Sequence, residues 1–212
     1  MNRRRFHIHL AAAAAAAAVP LAVRAQGAPV EGRDYARLAQ PLAMPATGKV
    51  EVVEFFGYWC PHCNAFEPTL DAWARKLPAD VQFRRVPVAF SAPQEPYAKI
   101  FFTLEAMGLL EQMHRKVFAA IHVQRQHLEK DSEILPFMTA NGVDATKFSE
   151  TYKSFTVASK FKQARQLADA YRIDGVPTLG IQGRFFTSPS LAGGAEQALK
   201  VADALIQRAR QG

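Results

Sequence analysis

Both cysteines of this 212-residue chain lie in one tetrapeptide, Cys60-Pro61-His62-Cys63, and its surroundings constrain the fold more than any other feature. The segment before it, Lys49 to Phe56, is dense in β-branched and aromatic side chains and ends at a glycine, which is typical of a central strand. The segment from Cys60 to Leu77 has the pattern of a helix, with Pro61 in the first turn and Pro68 predicting a kink. The two cysteines are therefore expected where a buried strand passes into a helix.

The rest of the chain continues to alternate between strands and helices. A second strand is predicted from Val81 to Val88 and a third from Thr178 to Ile181, which turns through Gly183 into a hairpin partner. Between these two strands, residues from about 94 to 171 carry apolar side chains at helical spacing. This order predicts an α/β fold in which an all-helical subdomain is inserted into the sheet. Two further elements are predicted, an edge strand over Tyr35 to Leu38 and a C-terminal helix through Ala195, Leu199, Ala202 and Ile206.

Residues 1 to 25 have the three parts of an export signal. Three arginines, Arg3 to Arg5, precede an alanine-rich apolar stretch, and Val23-Arg24-Ala25 places small residues where a signal peptidase cleaves. A membrane anchor fits less well, because the stretch is shorter than a membrane span and contains Pro20. We therefore expect one mature domain, residues 26 to 212, in the bacterial periplasm. The Arg-Arg-x-Phe pattern also fits a twin-arginine signal, so the export route stays open.

The net charge of the chain changes once this leader is set aside. The full sequence has 26 basic and 19 acidic residues, which gives a formal net charge of +7. Four of the arginines lie in the leader, so the mature domain keeps 22 basic residues against the same 19 acidic ones. An excess of about three positive charges gives no reason to expect a nucleic-acid partner.

Cys60 and Cys63 are most consistent with a redox-active dithiol. A structural zinc site needs about four ligands and the chain has no second cysteine pair, while a c-type haem attachment needs a histidine where Asn64 stands. At the start of a helix, unpaired backbone N–H groups and the helix dipole favour a thiolate, so we expect a lowered pKa for Cys60. Cys63 lies one turn further along, within disulfide reach. The Cys60–Cys63 disulfide is then the redox centre itself, and no metal or other cofactor is expected.

Two more residues are candidates for the chemistry, and each has a structural alternative. His62 adds a hydrogen-bond donor and a partial positive charge beside the Cys60 thiolate, whereas on its own it would be a solvated turn residue. Glu54 shares an apolar strand face with Val52 and Phe56, where a carboxyl group is costly unless it has a role or partners. The alternative for Glu54 is a strand-end carboxylate that reaches water.

The remaining polar residues near the motif carry weaker signals. Glu67, on the helix after the motif, is expected to be solvated or to pair with a nearby basic side chain. His114, His122 and His127 share no ligand spacing and are expected to be solvated or packed helix residues. The basic pair Arg84-Arg85 on the second strand has no assigned role.

Four segments of the chain form a set: Glu54-Phe55-Phe56, Cys60-Pro61-His62-Cys63, Phe66-Glu67 and, far downstream, Gly175-Val176-Pro177-Thr178. Together they resemble the DsbA family of periplasmic thiol:disulfide oxidoreductases, over the chain from about Tyr35 to the C-terminal helix. Thioredoxins are similar but carry Gly-Pro between their cysteines. The chain departs from some DsbA members in the bulkier Gly57-Tyr58-Trp59 before the motif, which bears on the surface around Cys60.

The resemblance implies a thioredoxin-like fold with an inserted all-helical subdomain and a cis peptide bond between Val176 and Pro177. It places Val176, Pro177 and Thr178 against the disulfide, where an extended substrate chain would pair with the backbone. It also implies that Glu54 is buried below the disulfide and relays the proton of Cys63. The partners implied are reduced, unfolded exported proteins and a quinone-linked membrane oxidase of the DsbB type, with the protein itself a monomer.

Two other functions fit the sequence less well. An isomerase of this fold resembles a catalytic domain joined to a dimerisation domain, and no segment of this sequence remains to form one. A metal carrier that uses the two thiolates as a copper or zinc clamp lacks further ligands. The redox potential of the dithiol separates the three functions. The sequence does not identify the client proteins.

Overall fold

The computed structural model describes residues 27–44 and 47–211, and the predicted leader lies outside these ranges. The described residues form one mixed sheet whose strands are β1 (Ala36–Arg37), β2 (Val50–Phe56), β3 (Val81–Pro87), β4 (Thr178–Ile181) and β5 (Phe185–Thr187). The order across the sheet is β1-β5-β4-β2-β3. The short β1 and the longer β3 are therefore the two edges.

Strand β2 carries the residues that lead into the cysteine motif. It runs parallel to β3 and antiparallel to β4, so both of its backbone edges are paired. Its β-branched and aromatic side chains suit a strand that is covered on both faces. The register places Glu54 beside Arg85 on β3 and beside Leu179 on β4.

The helices fall into two groups. Helix α1 (Pro61–Ala74) follows β2, and α7 (Pro189–Ala192) and α8 (Ala195–Arg210) follow β5. Between β3 and β4 lie α2 (Glu95–Ala106), α3 (Leu110–His122), α4 (Asp131–Ala140), α5 (Ala145–Tyr152) and α6 (Phe155–Tyr171). The prediction of an α/β fold with an inserted helical subdomain is therefore confirmed. Within the described ranges, no helix is both long and apolar enough to span a membrane.

The two faces of the sheet belong to two hydrophobic cores. On one face, Val52 and Ile181 pack with Leu70 of α1 and with α8. On the other face, Val53 and Phe55 belong to a larger core that the inserted helices complete. The alternation of side chains along β2 produces this division. The insertion thus shares its core with the sheet.

Several element boundaries differ from the predicted ones. Helix α1 begins at Pro61, with Cys60 as its N-cap, and ends at Ala74, because Leu77 precedes a proline and is disfavoured in a helix. The edge strand β1 has two residues instead of four. The long helical stretch is divided, and two of its breaks contain Gly108 and Gly142, both with a positive φ that ends a helix readily.

Candidate active site

The two cysteines lie where β2 passes into α1. Cys60 has an extended backbone (φ −88°, ψ 117°), and its N–H donates to the carbonyl of Gly57 at 3.0 Å. Pro61 occupies the first helical position, where the missing N–H removes no helical hydrogen bond. Both cysteines are free thiols; Cys60 is 4% exposed and Cys63 is fully buried. Of the two, only Cys60 keeps any access from outside.

The two thiols have opposite acidities. The hydrogen bond from the Cys63 thiol lowers the pKa of Cys60 to about 6 despite burial, and the backbone N–H groups of Cys63 and His62 and the His62 imidazole act in the same direction. Burial raises the pKa of Cys63 well above its ordinary value, and the hydrogen bond to Cys60 and the charge of Glu54 raise it further. Near neutral pH, Cys60 is therefore the thiolate and Cys63 carries the proton.

A loop before β4 packs against the Cys60 sulfur. The peptide bond between Val176 and Pro177 is cis, as the family resemblance implied. The Cys60 Sγ lies 3.4 Å from the carbonyl oxygen of Val176, to which its protonated form donates. Thr178 begins β4, and its hydroxyl donates to the carbonyl of Gly175 at 2.8 Å. The structure therefore brings the two distant motifs of the sequence together at one sulfur atom.

A groove opens beside this loop and reaches the cysteine motif. It has a volume of about 810 Å³ and runs between the start of α1 and the start of α7. Its lining includes His62, Phe66, Val176, Pro177 and Leu191. Most of these side chains are apolar, so the groove suits an extended chain with apolar side chains.

Glu54 lies fully buried on β2, so the alternative of a solvated strand end is wrong. Its Oε2 is 3.1 Å from Nε of Arg85 but out of line for a hydrogen bond, and neither carboxyl oxygen has a hydrogen-bond partner among the described residues. Burial raises the pKa of Glu54 to about 8, although the positive charge of Arg85 opposes this. Glu54 therefore holds a proton near neutral pH.

Glu67 and the basic pair of β3 complete the polar surroundings of Glu54. Glu67 is 5% exposed, so the solvated alternative for it is wrong and the paired alternative is confirmed. Nη2 of Arg85 donates to Oε1 of Glu67 at 2.6 Å. Arg84 points to the other side of the strand and pairs with Glu51 at 2.8 Å. Of the two arginines, Arg85 is the one that belongs to the site.

Tyr58 and two histidines of α3 are site residues that sequence reasoning did not single out. The Tyr58 hydroxyl is 2.7 Å from Nδ1 of His114, and the Tyr58 carbonyl is 2.7 Å from Nε2 of His122. His114 is buried and is a packed helix residue, while His127 is exposed. The spacing of eight residues on α3 could have indicated that His114 and His122 share a face. It could not have indicated that this face meets the motif.

Trp59, directly before Cys60, packs over the backbone of the turn. Its indole N–H donates to the carbonyl of Val88 at 3.1 Å, and its ring meets Phe90 edge to face. A Cβ at Gly57 would overlap this indole, so the small residue at 57 and the large one at 59 depend on each other. The large Trp59 side chain therefore connects the turn before α1 to the segment that follows β3.

Comparison with known proteins identifies the family. Residues 51–205 match the model of the DSBA-like thioredoxin domain. The chain belongs to the DsbA family. The thiol:disulfide interchange protein DsbA of Pseudomonas aeruginosa is 43% identical over 179 residues, which cover 84% of this chain and 85% of that protein. The DsbA of Azotobacter vinelandii is also 43% identical over 179 residues and is covered to 84%.

Solved DsbA structures have the same fold. A crystal structure of Pseudomonas aeruginosa DsbA superposes with a TM-score of 0.81 at 43% identity, covering 85% of this chain and 94% of that one. DsbA from Xylella fastidiosa gives a TM-score of 0.81 at 32% identity, covering 88% of this chain and all of that one. As a DsbA-family member the chain is a thiol:disulfide oxidoreductase, and Cys60-Pro61-His62-Cys63 is its CxxC redox centre.

Proposed function

We propose that this DsbA-family protein is an oxidant of exported proteins, which passes its Cys60–Cys63 disulfide to reduced, unfolded chains in the bacterial periplasm. The observation that carries the proposal is the unequal acidity of the two thiols, with the pKa of Cys60 lowered to about 6 and that of Cys63 raised. A stabilised thiolate stabilises the reduced protein, so its disulfide accepts electrons readily.

The reaction begins when a substrate thiolate attacks Sγ of Cys60. The Cys60–Cys63 bond breaks, its electron pair goes to the Cys63 sulfur, and a mixed disulfide forms between Cys60 and the substrate. Buried Glu54 donates its proton to the Cys63 sulfur, which is otherwise a costly buried anion. A second substrate thiolate then attacks the substrate sulfur and releases Cys60 as a thiolate. The substrate loses two electrons and the dithiol gains them.

Two neighbours of the cysteines support this exchange. His62 favours the Cys60 thiolate through its positive charge and its backbone N–H, so it makes Cys60 a better leaving group. Pro61 begins α1 without loss of a helical hydrogen bond, so the amides of the first turn stay directed at the sulfur.

The substrate lies as an extended chain along the loop formed by Val176, Pro177 and Thr178. The Val176 carbonyl already faces Cys60, so an extended chain that pairs with this loop has its own cysteine beside the attacked sulfur. The apolar groove beside the loop accepts side chains that unfolded proteins expose and folded proteins bury. This preference selects unfolded clients without reading their sequence.

The cycle requires a second partner, because each turnover leaves the dithiol reduced. We assign this step to a quinone-linked membrane oxidase of the DsbB type, whose disulfide is attacked by the Cys60 thiolate. The protein acts as a monomer. The modest net charge of its mature domain gives no reason to expect a nucleic-acid partner. Residues 1 to 25 are removed on export, and the mature domain 26 to 212 carries the helical insertion of about residues 94 to 171.

The test uses two single-cysteine variants expressed in a disulfide-forming host. Cys63→Ser leaves the attacked cysteine without its partner, so we expect mixed disulfides with exported proteins to accumulate on Cys60. The matched Cys60→Ser variant should trap none. Non-reducing electrophoresis of acid-quenched periplasmic extracts detects the mixed disulfides. Mass spectrometry of the purified protein identifies its mature N-terminus. Equal adduct levels in the two variants would contradict the assignment of Cys60 as the attacked residue.

A further inference from the structure

A cluster of buried ionisable groups reaches from the sheet into the inserted helices. Glu54 lies on β2, Glu67 on α1, Arg85 on β3 and His114 on α3, with Tyr58 between the sheet and α3. The Arg85 side chain is 18% exposed and the other four are less exposed. Two carboxyl groups thus face one arginine, and the helical insertion contributes a histidine to the same cluster.

One oxygen atom joins these groups. Oε1 of Glu67 lies 2.6 Å from Nη2 of Arg85 and 3.4 Å from Nε2 of His114. The same guanidinium reaches Glu54, whose Oε2 is 3.1 Å from its Nε. Arg85 therefore interacts with the carboxyl groups of both Glu54 and Glu67, and His114 contacts only that of Glu67.

The surroundings of His114 favour one position for the hydrogen on its ring. Nε2 lies 3.4 Å from a carboxylate oxygen of Glu67 and is out of line for a hydrogen bond, but the negative charge at this distance still favours the hydrogen on Nε2. Nδ1 then accepts from the hydroxyl of Tyr58, which is protonated because burial raises the pKa of this tyrosine. Burial also lowers the pKa of His114, although Glu67 opposes this, so the imidazole is neutral near pH 7.

The other charged groups near His114 lie further out. Asp71 of α1 adds a weaker negative field, and it is engaged by Arg115 of α3 at 3.3 Å. The remaining rings around the imidazole are those of Phe56, Phe101 and Phe118, which do not titrate. The contact with Glu67 is therefore the route by which His114 affects the charge of the cluster.

We propose that His114 is a positioning residue for the proton step at Cys63, because its Nε2–H shares Glu67 with Arg85 and so leaves part of the arginine charge to Glu54. Without that N–H, Glu67 is compensated by Arg85 alone and draws the guanidinium away from Glu54. Glu54 then keeps its proton to higher pH. This inference rests on the proposed role of Glu54 as the proton donor to Cys63.

The test uses two substitutions to separate the hydrogen bond of Nδ1 with Tyr58 from the electrostatic contact of Nε2 with Glu67. The amide of His114→Gln reaches the position of Nε2 and keeps an N–H toward Glu67, while that of His114→Asn reaches the position of Nδ1 and keeps the contact with Tyr58. Both variants remove ring packing, so their thermal midpoints are measured as well. The control is His127→Asn, because His127 is an exposed histidine of the same insertion.

The measured quantity is the rate at which each oxidised protein opens its disulfide on a reduced peptide, from about pH 6 to about pH 10. Dividing the rate of each variant by the wild-type rate at the same pH cancels the effect of peptide thiol ionisation. In the wild type, the rate should fall at alkaline pH as Glu54 loses its proton. We expect this fall to occur about one pH unit higher in His114→Asn. The variant should then be about fivefold faster than the wild type near pH 9 and equal to it near pH 6. His114→Gln and His127→Asn should keep the wild-type profile.

Other outcomes distinguish a failure of the inference about His114 from a failure of the proposed function. An altered His114→Gln profile with a normal His114→Asn profile would overturn it, because the contact with Tyr58 would then be the effective one. So would two unchanged profiles. Glu54→Gln should abolish the alkaline loss of rate; if it does not, the proton-donor role of Glu54 fails first. Should His114→Asn not fold, Glu67→Gln frees Arg85 for Glu54 and should move the loss to lower pH, and an unmoved profile would again reject the inference.

Discussion

Cys60 and Cys63 carry the same functional group, and their positions make them chemically different. The pKa of Cys60 falls from an ordinary 9.0 to about 6, so the folded reduced protein loses this proton where the unfolded chain retains it. Between about pH 6 and pH 9 the unfolded state therefore binds more protons, and Cys60 stabilises the reduced fold increasingly as the pH rises. Cys63, one turn along the same helix, shows the opposite shift because it is buried.

His62 is the side chain closest in sequence to this thiolate, and removing it tests its contribution. We expect His62→Ala to raise the pKa of Cys60 by about one unit, because a charge that favours the thiolate is lost. The disulfide should become less oxidising in the same variant. The ultraviolet absorbance of the thiolate against pH gives the pKa, and His127→Ala serves as the control. An unchanged pKa would return His62 to the role of a solvated turn residue.

Glu54 has a pKa raised from 4.5 to about 8, which reverses the usual dependence of stability on pH for an acid. The folded state holds the proton that the unfolded state releases, so this group's stabilisation is complete below about pH 4.5 and is lost as the pH rises to about 8. We expect Glu54→Gln to match the wild type near pH 5 and to exceed its free energy of unfolding near pH 8 by on the order of 3 kcal/mol.

Urea unfolding of the oxidised proteins at several pH values measures this difference. Glu51→Gln is the control, because Glu51 lies on the same strand and pairs with Arg84 near the surface. If Glu54→Gln is less stable than the wild type at every pH measured, then Glu54 is an ionised carboxylate with hydrogen-bond or ion-pair partners, which contradicts this prediction.

At the scale of elements, the turn between β2 and α1 sets the position of Cys60. The N–H of Cys60 donates to the Gly57 carbonyl, and the Trp59 indole donates to the carbonyl of Val88, directly after β3. Glycine is required at 57 for space and not for its backbone angles, because a Cβ there would overlap the indole.

This interdependence predicts a result for paired substitutions. Gly57→Ala should destabilise the protein by about 1–3 kcal/mol, because the added methyl group displaces the indole. In a Trp59→Ala background the same substitution should cost less than about 0.5 kcal/mol. Denaturant unfolding of the four proteins gives the coupling. Equal effects in the two backgrounds would show that the clash is not with Trp59.

The elements that carry the dithiol could be predicted because their signals are local. The apolar run of β2, the proline that begins α1 and the CxxC spacing each depend on neighbouring residues. The partner of Glu54 and Glu67 could not be predicted, because the register of β3 against β2 is what places Arg85 beside them. Likewise, the helical periodicity of α3 indicates which residues share a face, but the element that this face contacts depends on how the insertion folds back. His114 was therefore expected only as a packed or solvated residue.

At the scale of the whole molecule, the sheet and the insertion are joined directly behind the redox centre. Tyr58 contacts α3 through two histidines, and Phe56 packs against aromatic rings of α2 and α3. The insertion therefore packs in the same core as Cys63 and helps to bury it. This burial keeps the proton on the inner thiol while the outer thiol ionises.

The central claim is that the folded protein stabilises one thiolate and thereby makes its disulfide an oxidant. The most direct test is the equilibrium of the Cys60–Cys63 pair with a series of glutathione buffers at neutral pH, with the reduced fraction measured by acid quenching and alkylation of the free thiols. We predict a reduction potential less negative than that of protein disulfide isomerase, about −180 mV. A potential as negative as that of thioredoxin, about −270 mV, would contradict the account, because the dithiol would then be a reductant.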